Sequence, residues 1–511
     1  MFILYKCLKS AIVLGIDAYP VDVEIDLSNG LPGLAIVGLP DTATTESKER
    51  VRSAIHNSGY EYPLKRITVN LAPAHLKKDR AFFDLAIAIG ILLASGQISS
   101  TEAMSGYLIA GEISLNAKIL PLNGILPIAA LAREAGLKLI APAANYNEIR
   151  MVEGLEFYVF DSLSDIVGYF SHGRYELKNE PSAATGTGNG TPCDFSDVAG
   201  QSFAKRALEI AAAGGHAIMM RGVPGSGKTM MASCLPGILP AMTFEESLEV
   251  SKIYSIAGML SDSRLIEKRA FRSPHHSISE AAMIGGTSIP RPGEVSLAHN
   301  GVLFLDEFTQ YKKTVIEALR QPLNDGAVTI SRAYATYTYP ARFMLVAASN
   351  PCPCGYLGDT RIRCVCSPSL LRSYRSRISG PIIDRIDIQI EIARVERRDM
   401  LREAGAESSA AVAERVMRAR RIQQKRFSAP VAGDIAIYAN GNMSQREVKR
   451  YCVLPLRVET ILQNALEKFN LTMRSYYKIL KVARTIADIA GKELIEKEDV
   501  CEAIQYRTGL N

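Results

Sequence analysis

The segment Gly222-Val223-Pro224-Gly225-Ser226-Gly227-Lys228-Thr229 constrains this chain more than any other. It fits the phosphate-binding template G-x-x-x-x-G-K-[ST] at every fixed position. Ala217-Ile218-Met219-Met220 before it reads as a buried strand. Met230 to Leu235 after it reads as the opening of a helix that Pro236 stops. The glycines let backbone N–H groups turn inward around phosphate oxygens. The helix that follows points its positive end at the same charge. Lys228 supplies a cation for the outer phosphates and Thr229 a hydroxyl for Mg²⁺. An ordinary glycine-rich turn accounts neither for the Lys-Thr ending nor for the two flanks.

A second stretch supports the first. Gly301-Val302-Leu303-Phe304-Leu305 is an apolar strand that ends in Asp306-Glu307. Asp306 is in position to hold Mg²⁺, and Glu307 to take a proton from attacking water. The two stretches predict a protein that binds and hydrolyses a nucleoside triphosphate, with ATP and Mg²⁺ as cofactors. Asn350 follows the apolar run Phe343 to Ala347; by likeness to AAA+ proteins, where a polar residue at this place touches attacking water and the γ-phosphate, it takes that role, and otherwise it reads as a strand-end turn residue.

With 511 residues, two or three domains are expected. A net charge of +6 leans mildly toward anionic partners. No apolar run reaches membrane-spanning length, and no export signal is expected in Met1 to Val13, so the expected location is cytoplasmic. Nine cysteines, an odd count without evenly spread pairs, point to thiols or metal ligands rather than disulfides.

Residues 1–170 mix strand and helix signals. Val21 to Leu27 and Ile67 to Leu71 alternate as half-buried strands, Glu46 to Ser58 reads as an amphipathic helix, and Leu85 to Ala94 as a buried one. Gly111-Glu112-Ile113-Ser114-Leu115 and Ile119 to Gly124 resemble the proteolytic domain of Lon, which has a ribosomal-S5-like fold. The resemblance aligns Lys78-Asp79 with the serine motif, which puts Phe82 at the nucleophile position and Leu126 at the lysine position. Neither can do that chemistry. A non-proteolytic docking or assembly module is the expectation. Residues 171–193 contain Ser182 to Thr191, small, polar and glycine-rich, and read as a flexible linker.

Residues 194–395 read as the ATPase core. Asp194 to Gln201 and the helix predicted over Ser202 to Ala213 resemble the element that borders the adenine pocket in AAA+ ATPases. Two insertions are expected before Asp306, one with Phe271 to His276 and one, an exposed loop, with Gly285 to Glu294. Thr314 to Leu323 reads as a helix. Ala327 to Arg332 and Thr336 to Tyr339 read as a hairpin. Arg385 heads the alternating strand Ile386 to Ile392; it reads as an arginine finger toward a neighbouring subunit or as a surface ion pair with Asp384 or Asp387. Cys352, Cys354, Cys364 and Cys366 form two C-x-C pairs that could supply four thiolates to one Zn²⁺; buried thiols and redox-sensitive thiols are the alternatives. Residues 396–511 read as a helical lid. In Ala410 to Phe427 the arginines read as a solvated face. Ser475 to Ala490 carries an apolar stripe, with Arg474 at its head; by likeness to AAA+ lids this arginine reaches the γ-phosphate.

Together Gly222 to Thr229, Phe271-Arg272-Ser273-Pro274-His275-His276, Arg291-Pro292-Gly293-Glu294, Asp306-Glu307, Asn350-Pro351-Cys352-Pro353-Cys354-Gly355 and Asp384-Arg385-Ile386-Asp387 resemble the YifB/ComM family of Mg-chelatase-like AAA+ ATPases. The resemblance spans nearly the whole chain. It implies an α/β protein with a Lon-like amino-terminal domain, a AAA+ core and a helical lid, assembled as a hexameric ring with ATP at subunit boundaries. It implies a helicase that promotes branch migration on single-stranded or branched DNA during natural transformation. It also implies that Arg291 and Arg332 line a pore and grip DNA. The competing reading is a chelatase-type ATPase that remodels a protein partner.

Overall fold

A computed structural model describes residues 5–38, 42–76, 78, 82–98, 102–172, 193–260, 264–286, 290–331, 336–394, 407–427 and 439–508. Most of the segment read as a linker, 173–192, lies outside the described residues, and so does Arg332.

The first domain is built on a seven-stranded mixed sheet. Its strands are β1 (Tyr5–Leu14), β2 (Asp17–Ser28), β3 (Gly33–Val37), β4 (Arg66–Ala72), β5 (Tyr107–Ile109), β8 (Lys138–Pro142) and β9 (Phe157–Phe160), in the order β3-β4-β2-β1-β5-β8-β9. A small ribbon joins β6 (Glu112–Ile113) to β7 (Ile119–Leu120). In β2 the alternation read from the sequence buries Val21, Val23, Ile25 and Leu27 on one face. The helix Asp84–Ala94 is buried along its whole length against that face. Phe82 and Leu126 are packed in the core at 4% and 0% exposure. The two positions that the resemblance aligns with a peptidase serine and lysine are therefore apolar packing here. Lys78 is also buried and donates to the Pro73 carbonyl.

The second unit is a five-stranded, all-parallel sheet of β10 (Ile218–Gly222), β11 (Phe271–Arg272), β12 (Val302–Leu305), β15 (Met344–Ser349) and β16 (Ile388–Ile392). Its order is β11-β12-β15-β10-β16. Strand β15 thus lies between the phosphate-loop strand β10 and the acidic strand β12. The carboxyl ends of these three neighbours converge, which is where parallel sheets hold ligands. Phe271-Arg272, read as part of an insertion, forms the edge strand of this sheet. The helix read over Thr314 to Leu323 is two short helices, Lys313–Ala318 and Arg320–Asp325. Pro322 has no N–H to give the Ala318 carbonyl, so the helix breaks between them.

Five helices, Ser409–Phe427, Gln445–Tyr451, Leu456–Lys468, Met473–Ile489 and Lys497–Thr508, make up the described carboxyl-terminal part. They share a core with the helix Ser202–Gly214 and with β10 and β16. The arginine-rich helix is only partly solvated. Arg418 and Arg421 are exposed, but Arg415 pairs with Glu209 at 2.5 Å and Arg426 with Asp488 at 2.5 Å. The apolar stripe of Met473–Ile489 carries a buried charge: Arg484 is 2% exposed and bonds Asp488 at 3.0 Å. Asn440 donates to the same carboxylate at 2.7 Å, which gives it the partners a buried charge needs.

The first two units are fused through packing. One apolar cluster runs from Val13, Leu122 and Ile125 to Ile256, Met283 and Val295. The helix Ile125–Glu134 lies on the helix Phe244–Ala257. The Gly124 N–H donates to the Ser255 carbonyl at 3.0 Å, and the Ser255 hydroxyl donates to Glu148 at 2.7 Å. Among the described residues no helix is long and apolar enough to cross a membrane.

Candidate nucleotide site and its neighbours

The loop Gly222–Thr229 turns on Gly225 and Gly227, which adopt φ of +75° and +86°. Only glycine takes that conformation without strain. Gly222 has no room for a side chain either, because a Cβ there would lie 2.6 Å from the Ile392 carbonyl oxygen. Lys228 is 8% exposed and folds over its own loop. Its ammonium donates to the Gly222 and Val223 carbonyls at 2.7 and 3.0 Å and lies 3.4 Å from Asn350 Oδ1. Burial pushes its pKa down, and Asp306 acts in the opposite direction. The Thr229 hydroxyl donates to Asp306 Oδ2 at 2.7 Å. One loop, two strand ends and four side chains named from the sequence (Lys228, Thr229, Asp306, Asn350) therefore meet at one point.

Glu307 follows in the left-handed region, with φ of +49°. This turn sends its side chain outward, and its carboxylate stands 3.6 Å from His276 Nδ1. His276 also stacks on His275, ring centroids 4.0 Å apart, and meets the edge of Tyr311. The sequence marked the His-His pair as part of a motif but gave no reason to place it beside Glu307, 31 positions away. A brace on the other side was also not legible. Tyr374 accepts from Thr309 at 2.6 Å and donates to the Asn350 carbonyl at 3.3 Å, which ties the acidic loop to the end of β15.

The four cysteines of the two C-x-C pairs sit together, all four sulfurs within 4.8 Å of one another. Three of the separations are 3.3, 3.7 and 3.6 Å. Four thiolates about 2.3 Å from one zinc would stand about 3.8 Å apart at tetrahedral corners. The backbone N–H groups of Tyr356 and Val365 draw the Cys354 thiol down to about 6, toward the thiolate a metal requires. The knuckle does not stand apart from the nucleotide site. Gly355 has φ of +88°, and a Cβ on it would fall 2.7 Å from Pro224 Cγ in the phosphate loop.

Arg385 is brought to a different place. Strands β10 and β16 are parallel, with Ile218 opposite Ile388 and Gly222 opposite Ile392. Arg385 precedes the amino end of β16, whereas the phosphate loop leaves the carboxyl end of β10. The strand alone separates the two by about 13 Å. The alternative ion-pair partners are engaged elsewhere. Asp387 is buried on Lys478 and His216, and Asp384 faces Arg507 at 3.6 Å. The Arg385 guanidinium donates instead to Asn324 Oδ1 at 2.8 Å and the Pro381 carbonyl at 2.6 Å. Burial lowers its pKa, and the charges of Arg474 and Arg320 lower it further. Arg474 is exposed, and its charge is felt at Arg385.

The described residues of the Gly285 to Glu294 loop, 285–286 and 290–294, pack on the hairpin of β13 (Ala327–Ser331) and β14 (Thr336–Pro340). Tyr339 donates to the Pro290 carbonyl at 2.9 Å. A Cβ on Gly285 would come within 3.0 Å of Ile330 Cδ1. Glu294 clamps Arg272 through two bonds of 2.7 Å, and Arg291 stays exposed.

Comparisons with known proteins assign the chain to a family. Residues 23–145 match the model for subunit ChlI of Mg-chelatase, 194–400 that for magnesium chelatase subunit ChlI, and 406–507 that for the ChlI carboxyl-terminal region. The competence protein ComM of Haemophilus influenzae (strain Rd) is 42% identical over 97% of this chain and 96% of its own length. The uncharacterized protein YifB of Escherichia coli (strain K12) is 41% identical over 97% and 95%. This chain belongs to the YifB/ComM family. Within that Mg-chelatase-like AAA+ family it also resembles, over only 31% of its length and at 28% identity, the magnesium-chelatase 67 kDa subunit of Chlorobaculum tepidum. The position of β15 between β10 and β12 brings the phosphate loop, Asp306 and Asn350 of this chain together.

Proposed function

We propose that this YifB/ComM-family protein is an ATP-driven, ring-forming DNA translocase of the cytoplasm that promotes branch migration during uptake and recombination of foreign strands. The observation that carries it is the separation of Arg385 from the phosphate loop of its own chain. An arginine finger at the wrong end of its own sheet has work to do only on a neighbour's nucleotide, so the active unit is a closed assembly, a hexamer by family likeness. Thr229 and Asp306 would hold Mg²⁺, which supplies charge neutralisation to the phosphates. Lys228 leaves its loop carbonyls for the outer phosphates. Asn350 orients the attacking water and Glu307 takes its proton. His276 holds the Glu307 carboxylate. Replacing His276 by Ala is expected to lower ATP turnover about tenfold to a hundredfold, through misplacement of that base, with nucleotide affinity unchanged; steady-state kinetics beside a nucleotide-binding titration check this.

DNA is the proposed cargo because the described residues of the Gly285–Glu294 loop pack on the β13–β14 hairpin and leave Arg291 exposed. The name of the competence protein ComM, matched over nearly its full length, favours the same reading. The test is ATP turnover with single-stranded, duplex and forked DNA across a salt series. DNA is expected to stimulate turnover, with affinity falling steeply as salt rises. Arg291→Ala is expected to reduce the salt slope by about one unit. A protein that stays monomeric with ATP and ignores all three DNAs overturns the proposal. Remodelling of a protein partner is the second reading, favoured by the ChlI models and the Chlorobaculum relative; stimulation by such a partner and not by DNA would select it. The first domain, with packing residues at its peptidase-like positions, serves as a docking and assembly module.

The cysteine knuckle is proposed to hold a structural zinc that backs the phosphate loop through Gly355. Stripping that metal with a chelator is expected to weaken ATP binding by about tenfold or more, since Pro224 loses its support. Zinc analysis and nucleotide titration before and after zinc is restored check this.

A further inference from the structure

Two cysteines outside the knuckle face each other at the back of the nucleotide site. Cys193 Sγ lies 2.6 Å from Cys234 Sγ. Cys193 is half-buried and begins the described segment that enters the ATPase core; Cys234 is fully buried and ends the helix Lys228–Cys234. That helix opens with Lys228 and Thr229, so its far end is rigidly joined to the groups that grip phosphate. On the other side, Asp194 accepts from Ser196 N at 2.8 Å and from Ser409 N at 3.1 Å, which fixes the residue after Cys193 to the helix Ser409–Phe427. Between this segment and the phosphate loop runs a long contact, Gln201 Nε2 to the Ser226 carbonyl at 3.5 Å, and Cys193 Sγ lies 3.7 Å from the Met230 carbonyl just beyond the loop. No third Cys, His or carboxylate joins the pair in a metal-ligand group among the described residues. The pair therefore reads as dithiol chemistry rather than as a second metal site.

We infer that Cys193 and Cys234 are a redox modification site, at which a hydroperoxide closes a disulfide between the entrance of the ATPase core and the phosphate-loop helix. The two thiols differ in role. Cys193 is the accessible one; burial raises the pKa of Cys234 and keeps it from reacting first. The Cys193 thiolate attacks the peroxide, an S–O bond forms as the O–O bond breaks, and water or an alcohol leaves. The Cys234 sulfur then attacks the Cys193 sulfur, the S–O bond breaks, and water leaves. Two thiols give up two electrons, and the peroxide takes them. A dithiol reductant reverses the change. The bond forms over a separation already close to covalent length, so the secondary elements keep their places. What changes is freedom. The segment that flanks the nucleotide and the helix that holds it can no longer move apart, and ATP turnover slows.

The experiment uses the full chain loaded with zinc, treated with hydrogen peroxide, alkylated and digested without reductant. A linked peptide containing Cys193 and Cys234 is expected, about 2 Da lighter than the two reduced peptides together, and it disappears with dithiothreitol. In parallel, peroxide is expected to lower ATP turnover severalfold in the parent protein and to leave Cys193→Ser unaffected. Cys193 is half-buried, so this variant keeps the core; Cys234→Ala, which keeps an apolar group at the buried position, serves as a second control. Recovery of both cysteines in alkylated form overturns the inference. So does an equal loss of turnover in Cys193→Ser, which would assign the sensitivity to the Cys352–Cys366 knuckle. The rate measurement rests on the proposed ATP turnover, whereas the linked peptide does not, so the two readings fail separately.

Discussion

Glu307→Gln is expected to bind ATP and Mg²⁺ as the parent does and to hydrolyse it about a hundredfold to ten-thousandfold more slowly. The exposed carboxylate is set apart from Asp306 by the left-handed turn at residue 307, and it makes no bond on which the fold depends. Exchanging oxygen for an amide keeps shape and removes only the proton acceptor. Lys228→Ala should give the complementary result, loss of binding itself, because the ammonium that leaves Gly222 and Val223 for phosphate is absent. Nucleotide titration and single-turnover hydrolysis on the two variants separate these roles. A Glu307→Gln protein with parental turnover would remove that residue from the chemistry.

Arg385→Ala is expected to assemble and bind ATP but to lose about a thousandfold or more in turnover. The decisive measurement is a mixture. Arg385→Ala subunits carry an intact phosphate loop, and Lys228→Ala subunits carry an intact arginine. If Arg385 serves the nucleotide of an adjoining protomer, two inactive proteins together form some complete interfaces, and activity returns in proportion to mixing. If it served its own chain, no interface in the mixture would be complete. The position of Arg385 at the amino end of β16, at the opposite end of the sheet from Gly222, makes the first outcome the expected one. Arg474 lies close enough for its charge to be felt at Arg385, so the same mixing pattern is expected for Arg474→Ala.

What could be read without coordinates follows from how local each signal is. The phosphate loop and Asp306-Glu307 are runs of consecutive residues whose chemistry needs no distant partner, and β2 and β4 announce themselves by alternation. Asn350 was legible because a strand end after the acidic strand has few places to go in a parallel sheet. The contact of His276 with Glu307 was not, since it depends on β11 pairing with β12, and a two-residue strand leaves no periodic trace. The arginines of Ser409–Phe427 misled for a related reason. A charge pattern on one helix does not reveal that Glu209 and Asp488 on other helices wait opposite two of its turns. The site of Arg474 required knowing which end of the sheet the helix Met473–Ile489 caps, a matter of tertiary packing that no single segment encodes.

One contact in the fold bears on how force would travel. Gly15, at the bend between β1 and β2, leaves so little room that a Cβ there would sit 2.6 Å from the Thr338 carbonyl oxygen of the β13–β14 ribbon. Lys252 meets Asp17 at 3.2 Å beside it. A load on the β13–β14 ribbon would thus pass not into a pliant stalk but into the long strands of the first domain. In the proposed motor that domain would serve as a thrust bearing, spreading the reaction over a stiff plate of seven strands instead of over the nucleotide-binding loops.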